Sequence, residues 1–139
     1  MNRIITLTTD FGISDPYVAA VKGAILNINQ DAAIVDVSHS VKPQAVEQAA
    51  FHLSCPLPYF RRGSIHLVVV DPSVGTQRRG LALSTDEGVF VGPDNGSTFA
   101  CAQVTRNARV ALTGLASFCF RLASSVHAYQ SPLPSFATK

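Results

Sequence analysis

The sequence has little charge and few of the features that mark secreted, membrane or disordered proteins. Charged residues make up only 14% of the 139 residues, and a formal net charge of +2 is too small to predict nucleic-acid or membrane binding. Tryptophan is absent, and the three cysteines form no CxxC pair. Because an odd number of cysteines argues against a disulfide framework, we expect Cys55, Cys101 and Cys119 to be buried thiols in a reducing cytoplasm. The N-terminus predicts a strand rather than a signal peptide, and no apolar run is long enough to span a bilayer.

Acidic residues are missing from one third of the chain. All 9 of them lie at or before Asp94, whereas residues 95–139 have none. An apolar content of 47% in a chain of this length predicts a folded domain with a real core. We therefore expect one domain over residues 1–112. Residues 113–139, rich in Ser, Ala and Phe, form an atypical tail for which a folded and a disordered state both stay open.

Strand-like and helix-like patterns alternate along the first two thirds of the chain. The apolar run Ile65–Val70 has no polar alternation and predicts a strand that is buried on both faces, as in a parallel sheet. The alternation predicts an α/β sandwich with a mostly parallel sheet. The other predicted strands are Ile4–Thr9, Ala33–Val37, Leu81–Ser84, Val89–Val91 and Arg109–Leu112, and the predicted helices are Tyr17–Ile28, Gln44–Ser54 and Ser97–Val104.

Three acidic loops directly follow predicted strands. They contain Asp10 and Asp15, then Asp71, then Asp94 and Asn95. If the strands are parallel, the loops share one edge of the sheet, where carboxylates bind sugar hydroxyls in dinucleotide folds. Any one of these residues could instead cap a helix or form a turn. Three acidic loops at one edge make a ligand site the better hypothesis.

Asp71 is followed by a loop that ends in two arginines. Arg78 could hold the Asp71 carboxylate ionised, so that it accepts a hydrogen bond from an attacking water. The pair could equally be an ion pair that only stabilises the loop. The spacing alone leaves the two interpretations level.

Several other chemistries lack their motifs. The sequence has no GxxxxGK[ST] phosphate loop and no GxSxG nucleophile elbow. The four histidines have no metal-ligand spacing with one another or with a cysteine, so we predict no metal site. His52 and His66 fall inside a helix and a strand and are expected to be packed or surface residues. His39, in the loop after the second strand, is the histidine expected nearest to the site.

Four stretches within residues 4–96 together resemble one family. They are TDFGISDPYVAAVKGAIL, IVDVSHSVKPQAVEQAAFHL, GSIHLVVVDPSVGTQRR and FVGPDNG. They resemble the S-adenosylmethionine (SAM) hydrolases, also called SAM hydroxide adenosyltransferases, which are related to SAM-dependent fluorinases and chlorinases. The resemblance implies a three-layer α/β sandwich as the N-terminal domain. It also implies an enzyme in which water or hydroxide attacks the 5′-carbon of SAM, giving adenosine and methionine.

The resemblance also assigns roles to residues at matching positions. Asp71 and Arg78 match the residues that associate with the nucleophile, and the halogenases lack this pair, which favours water over halide. SAM is the substrate and the expected partner, and no cofactor, nucleic acid or membrane is implied. Asp10 matches the aspartate that binds the ribose hydroxyls in the family, and Asp15 matches a second acidic position of that loop. We expect four residues to bind the substrate: Asp10, Asp15, Asp94 and Asn95.

The chain also departs from the family pattern. The family's third catalytic residue is a histidine in a TFHGRD-like motif after PDNG, and this motif is absent, since the sequence around His127 does not match it. The family has a second, β-rich domain and places its site between subunits of a trimer. We therefore expect the N-terminal domain only, as in a truncated or frameshifted product. Two alternatives stay open: an inactive remnant that binds adenosine or SAM weakly, and a SAM-dependent halogenase.

Overall fold

The computed structural model describes residues 4–71, 80–96, 98 and 100, together with the backbone of 109–111. The predicted helix over residues 97–104 is described only at Thr98 and Ala100, and the tail over residues 113–139 lies outside the described part. The elements are β1 (Ile4–Thr9), α1 (Tyr17–Ile28), β2 (Ala33–Ser38), α2 (Val46–Ser54), a 3-10 turn (Leu57–Tyr59), β3 (Ser64–Val69), β4 (Gly80–Ser84), β5 (Gly88–Pro93) and β6 (Arg109–Ala111).

The strands form one sheet in the order β2-β1-β3-β5-β4-β6. Strand β1 pairs in parallel with β2 and β3, and β3 pairs in parallel with β5. Strand β4 runs antiparallel between β5 and β6 and forms with β5 the hairpin expected from the sequence. The predicted mostly parallel sheet is therefore confirmed.

Strand β3 is buried on both faces, as its unbroken apolar sequence predicts. Val68 and Val70 pack on one face in a cluster with Leu53 of α2. Leu67 and Val69 pack on the other face with Val21 of α1. Because successive side chains of a strand point to opposite faces, one strand supplies both cores. The two clusters make the three-layer sandwich, with α1 and α2 on opposite sides of the sheet.

Helix α1 begins at Tyr17 after Pro16, as predicted, but α2 begins later than the sequence suggests. The prediction of a helix from Gln44 was wrong by two residues. Gln44 has a φ of 65°, in the left-handed region, and Ala45 has a ψ of 77°, so neither is helical. The helix therefore starts at Val46. The residue after α2, Cys55, is a free and exposed thiol, so the prediction that it is buried was wrong.

Gly92 of β5 lies where the backbones of β3 and β5 come close. A Cβ at this position would collide with the carbonyl oxygen of Val68 and with Oγ1 of Thr98. The Thr98 hydroxyl donates to the carbonyl of Pro93 at 3.2 Å. Because Gly92 has no side chain, Thr98 can pack over the end of β5, where its hydroxyl contacts the carbonyl of the last residue of the strand.

Candidate functional site

The candidate site lies at the point in the sheet where the order of the strands reverses. From β1 the chain adds β2 on one side, returns, and adds β3 on the other side. Helices α1 and α2 consequently cover opposite faces of the sheet. Ligands of open α/β sheets bind outside the carboxyl ends of the strands at such a point. Asp10 follows β1 directly, and Asp71 follows β3 by two residues.

Asp71 is held against the turn that follows β5. It is only 6% exposed, unusually low for an aspartate. The Asn95 side-chain amide donates to the Val70 carbonyl at 2.8 Å, and the same nitrogen lies 3.4 Å from Oδ1 of Asp71. The structure therefore brings together two of the predicted site residues, from loops that follow neighbouring strands.

Asp10 is held through both its backbone and its side chain. Its backbone N–H donates to the carbonyl of Val69 at 3.4 Å, which ties the start of the loop to the end of β3. Its carboxylate oxygen Oδ2 accepts the backbone N–H of Gln44 at 3.2 Å. The left-handed conformation of Gln44, which costs a non-glycine residue about 1–2 kcal/mol, aims that N–H at the carboxylate. Such local strain persists only where the surroundings impose it.

The remaining predicted site residues are Asp15, Asp94 and Arg78. Asp15 is exposed in the loop between β1 and α1, and Asp94 is exposed beside Asn95. Both lie at the same edge of the sheet as Asp10 and Asp71, as the parallel topology requires. Arg78 lies outside the described residues, so its pairing with Asp71 stays a prediction.

A chain of polar side chains runs from α1 to the end of β1. Nζ of Lys22 lies 2.6 Å from Oδ2 of Asp36, and Oδ1 of the same carboxylate lies 3.0 Å from Nε2 of His39. The ring N–H of His39 is not aligned with that oxygen as in a full hydrogen bond, so the contact is a close polar approach. On the other side of the ring, Nδ1 lies 2.9 Å from Oγ1 of Thr9. The residue after Thr9 is Asp10.

The charged neighbours of Asp36 among these polar side chains favour its ionised form. Partial burial alone would raise the pKa of its carboxyl group. The contacts with Lys22 and His39 outweigh that effect and lower the pKa below its ordinary value. An ionised carboxylate only accepts hydrogen bonds, so it favours the tautomer of His39 that carries its proton on Nε2. Nδ1 is then free to accept the hydroxyl proton of Thr9.

Sequence reasoning placed His39 near the site but missed what it contacts. The spacing of Asp36 and His39, three residues apart across the end of β2, was the available signal. No sequence signal marks Gln44 as left-handed, because only glycine and, less often, asparagine adopt that conformation routinely. Within the described ranges, no group of three His, Cys, Asp or Glu side chains could hold a metal ion. None of the helices in those ranges is long and apolar enough to cross a membrane.

Fold and site together define an α/β protein in which Asp10 and Asp71 follow neighbouring parallel strands at one edge of the sheet. A model of the SAM hydroxide adenosyltransferase N-terminal domain matches residues 5–127. This chain belongs to that family.

Named relatives support the same family. The chain is 49% identical over 98 residues to an (R)-S-adenosyl-L-methionine hydrolase of Methanocaldococcus jannaschii, a match that covers 67% of this chain and 37% of the relative. It is 40% identical over 108 residues to the enzyme of that name from Salinispora tropica, covering 78% and 41%. A fluorinase of Actinopolyspora mzabensis is 35% identical over 80 residues, covering 58% and 27%. The chain thus spans well under half the length of these relatives.

Solved structures agree with the fold. A conserved hypothetical protein of Thermus thermophilus superimposes with a TM-score of 0.69 at 38% identity, covering 94% of this chain and 55% of that chain. An uncharacterized conserved protein of Thermotoga maritima superimposes with a TM-score of 0.71 at 29% identity, with the same coverage. The predicted family and fold class are therefore confirmed.

Proposed function

We propose that this chain carries the ribose-binding and water-positioning parts of a SAM hydrolase, which converts SAM and water into adenosine and methionine. The observation that carries the proposal is the contact between Asn95 and Asp71, with Asp10 at the same edge of the sheet, after the parallel strands β5, β3 and β1. The names of the relatives and the family of the chain support the choice of substrate.

The proposed reaction needs little acid or base catalysis. The oxygen of water forms a bond to the 5′-carbon of the ribose as the bond from that carbon to the sulfonium sulfur breaks. The bonding electrons pass to sulfur, and methionine leaves as a neutral thioether. Because the leaving group needs no proton, the protein contributes mainly by holding the water in line and excluding bulk solvent. The attacking water loses its proton to the surroundings of the site.

Asp71 is the residue we assign to the water. Its carboxylate is nearly buried, and Asn95 fixes one of its oxygens by a long contact of 3.4 Å. A fixed carboxylate can accept one hydrogen bond from a water and so direct a lone pair of that water at the 5′-carbon. Arg78 is assigned, from the family resemblance, to the charge partner of Asp71.

Asp10 is the residue we assign to the ribose hydroxyls. Its Oδ2 already accepts the N–H of Gln44, which fixes the orientation of the carboxylate before a ligand arrives. A carboxylate held in this way can accept hydrogen bonds from the two ribose hydroxyls, as acidic residues do at the same edge of dinucleotide folds. Asp15, Asp94 and Asn95 complete the proposed substrate contacts. Assembly into a trimer, a cytoplasmic location and the absence of a cofactor stay predictions.

The test incubates the purified chain with SAM in water enriched in oxygen-18. We expect adenosine and methionine by chromatography and mass spectrometry, with the label in the 5′-hydroxyl of adenosine. The Asp71→Asn variant, which keeps the size of the side chain and removes its charge, should lose most of this activity. A matched Asp86→Asn variant changes an aspartate of the β4–β5 turn and controls for the loss of one carboxylate.

Two results would contradict the proposal. One is no adenosine above a protein-free blank together with no adenosine binding by calorimetry, which would leave a family domain without the activity. The other is a halide-dependent 5′-halo-adenosine in place of labelled adenosine, which would make the chain a halogenase.

A further inference from the structure

The loop that carries Asp10 is tied to the loop after β2 at three points. The Thr9 hydroxyl contacts Nδ1 of His39 at 2.9 Å, and the N–H of Gly12 donates to the backbone carbonyl of His39 at 2.7 Å. The third contact is the Gln44 N–H on Oδ2 of Asp10, at 3.2 Å. All three join residues about 30 positions apart in sequence, so none of them arises from local turn formation.

The hydrogen bonds around Thr9 have a consistent direction. Its Oγ1 accepts the N–H of Phe11 at 3.3 Å, which leaves the hydroxyl proton for Nδ1 of His39. Nε2 of the ring lies 3.0 Å from Oδ1 of Asp36, and Lys22 contacts the other oxygen of that carboxylate from the side of α1. His39 is buried, and both Thr9 and the imidazole ring have little freedom to choose other partners. Buried polar networks of this kind fix one arrangement of a loop.

We propose that His39 and Thr9 are positioning residues that set the carboxylate of Asp10. The ring of His39 accepts the Thr9 hydroxyl on one side of Asp10, and its backbone carbonyl accepts Gly12 on the other side. The peptide at Asp10 is therefore clamped at both ends, and its carboxylate meets the Gln44 N–H. The consequence for ligand binding rests on the proposed function, whereas the clamp itself can be measured without any ligand.

Strand β1 supplies a matched control for this inference. Thr8 is also fully buried, but its Oγ1 has no hydrogen-bond partner among the described residues. The substitutions Thr8→Val and Thr9→Val remove the same hydroxyl from neighbouring positions. Only the second breaks the contact with His39. Thr9→Ser, which keeps the hydroxyl, serves as the conservative variant.

The first measurement is amide hydrogen exchange of the Gln44 N–H, observed by NMR on the full chain without ligand. We expect Thr9→Val to accelerate this exchange about tenfold, since the clamp on Asp10 opens, while Thr8→Val and Thr9→Ser leave it close to that of the unaltered chain. Equal acceleration in both valine variants, or none in either, would overturn the inference. If Thr9→Val does not fold, His39→Gln carries the test, because it removes the ring nitrogen that Thr9 contacts.

The second measurement is the dissociation constant for adenosine by calorimetry. We expect Thr9→Val to raise it about three- to tenfold, the cost of one misplaced hydrogen-bonding group, and Thr8→Val to leave it unchanged. If the unaltered chain binds adenosine and Thr9→Val binds it equally well, the inference fails and the proposed function stands. If the unaltered chain neither forms adenosine from SAM nor binds it, the proposed function fails and the exchange measurement alone decides the inference.

Discussion

His66 makes the stability of this fold sensitive to mild acid. Its imidazole is fully buried in β3, with ring centroids of Phe90 and Phe60 at 4.9 and 5.9 Å. Nδ1 lies 2.9 Å from Oγ1 of Thr6, and Nε2 has no partner among the described residues. Burial disfavours the charged ring and lowers the pKa of His66 from 6.5 to about 4.

The sign and size of the effect follow from proton linkage. A depressed pKa means that the unfolded chain binds this proton first as the pH falls, so acid favours unfolding. The contribution of the neutral ring to stability is intact above pH 6.5 and is lost as the pH falls through 4. The free energy of unfolding should fall by about 2 kcal/mol between pH 7.5 and pH 5 from this group alone.

Urea unfolding at a series of pH values between 7.5 and 5 measures this effect. His66→Gln keeps a hydrogen-bonding side chain but cannot take up a proton, so its stability should depend less steeply on pH, by about 2 kcal/mol over the range. The His52→Gln variant changes a half-buried histidine of α2 and shows what the loss of any histidine does. Parallel pH profiles for the unaltered chain and His66→Gln would refute the reasoning.

The remaining predictions concern packing, ligand binding and surface charge. Gly92→Ala should lower the free energy of unfolding by about 1–3 kcal/mol, because its Cβ would meet the β3 backbone. Gly23→Ala, in open space on α1, should raise the free energy of unfolding by up to about 1 kcal/mol. Thermal melts of the two variants measure the difference. Asp10→Asn should weaken adenosine binding about ten- to hundredfold by calorimetry, and equal weakening by Asp31→Asn, at the opposite edge of the sheet, would contradict its role. Lys22→Ala should lower the free energy of unfolding by less than about 1 kcal/mol in the same melts, since its ion pair with Asp36 is partly exposed. A larger decrease would contradict the view that this ion pair contributes little to stability.

The strands, and which of their faces are buried, could be predicted because both depend on the pattern of apolar and polar side chains. The run Ile65–Val70 predicts a strand with two buried faces, and the structure has β3 over Ser64–Val69 with clusters on both sides. The acidic loops could be placed at one edge for the same reason, since parallel pairing fixes where strands end. The family motifs then assigned chemistry to Asp10 and Asp71.

The contacts around Gln44 and His39 could not be predicted, because they depend on the tertiary arrangement of two loops. Gln44 is left-handed because the chain must turn from the loop into α2 while its N–H meets Asp10, and local propensity carries no sign of this. The late start of α2 follows from the same turn. The exposure of Cys55 likewise depends on where α2 ends, which composition does not determine.

The position of Asp36 has a second consequence that concerns self-association. Strand β2 has one strand neighbour, β1, in the described part of the sheet, so its other side offers backbone hydrogen-bonding groups to any extended chain. Val35 is exposed on this strand and would favour such pairing. The Asp36 carboxylate with its Lys22 partner puts charge on the opposite face of the same strand, next to Val35. Because charge on an edge strand disfavours pairing with another edge, we expect this ion pair to oppose edge-to-edge association through β2.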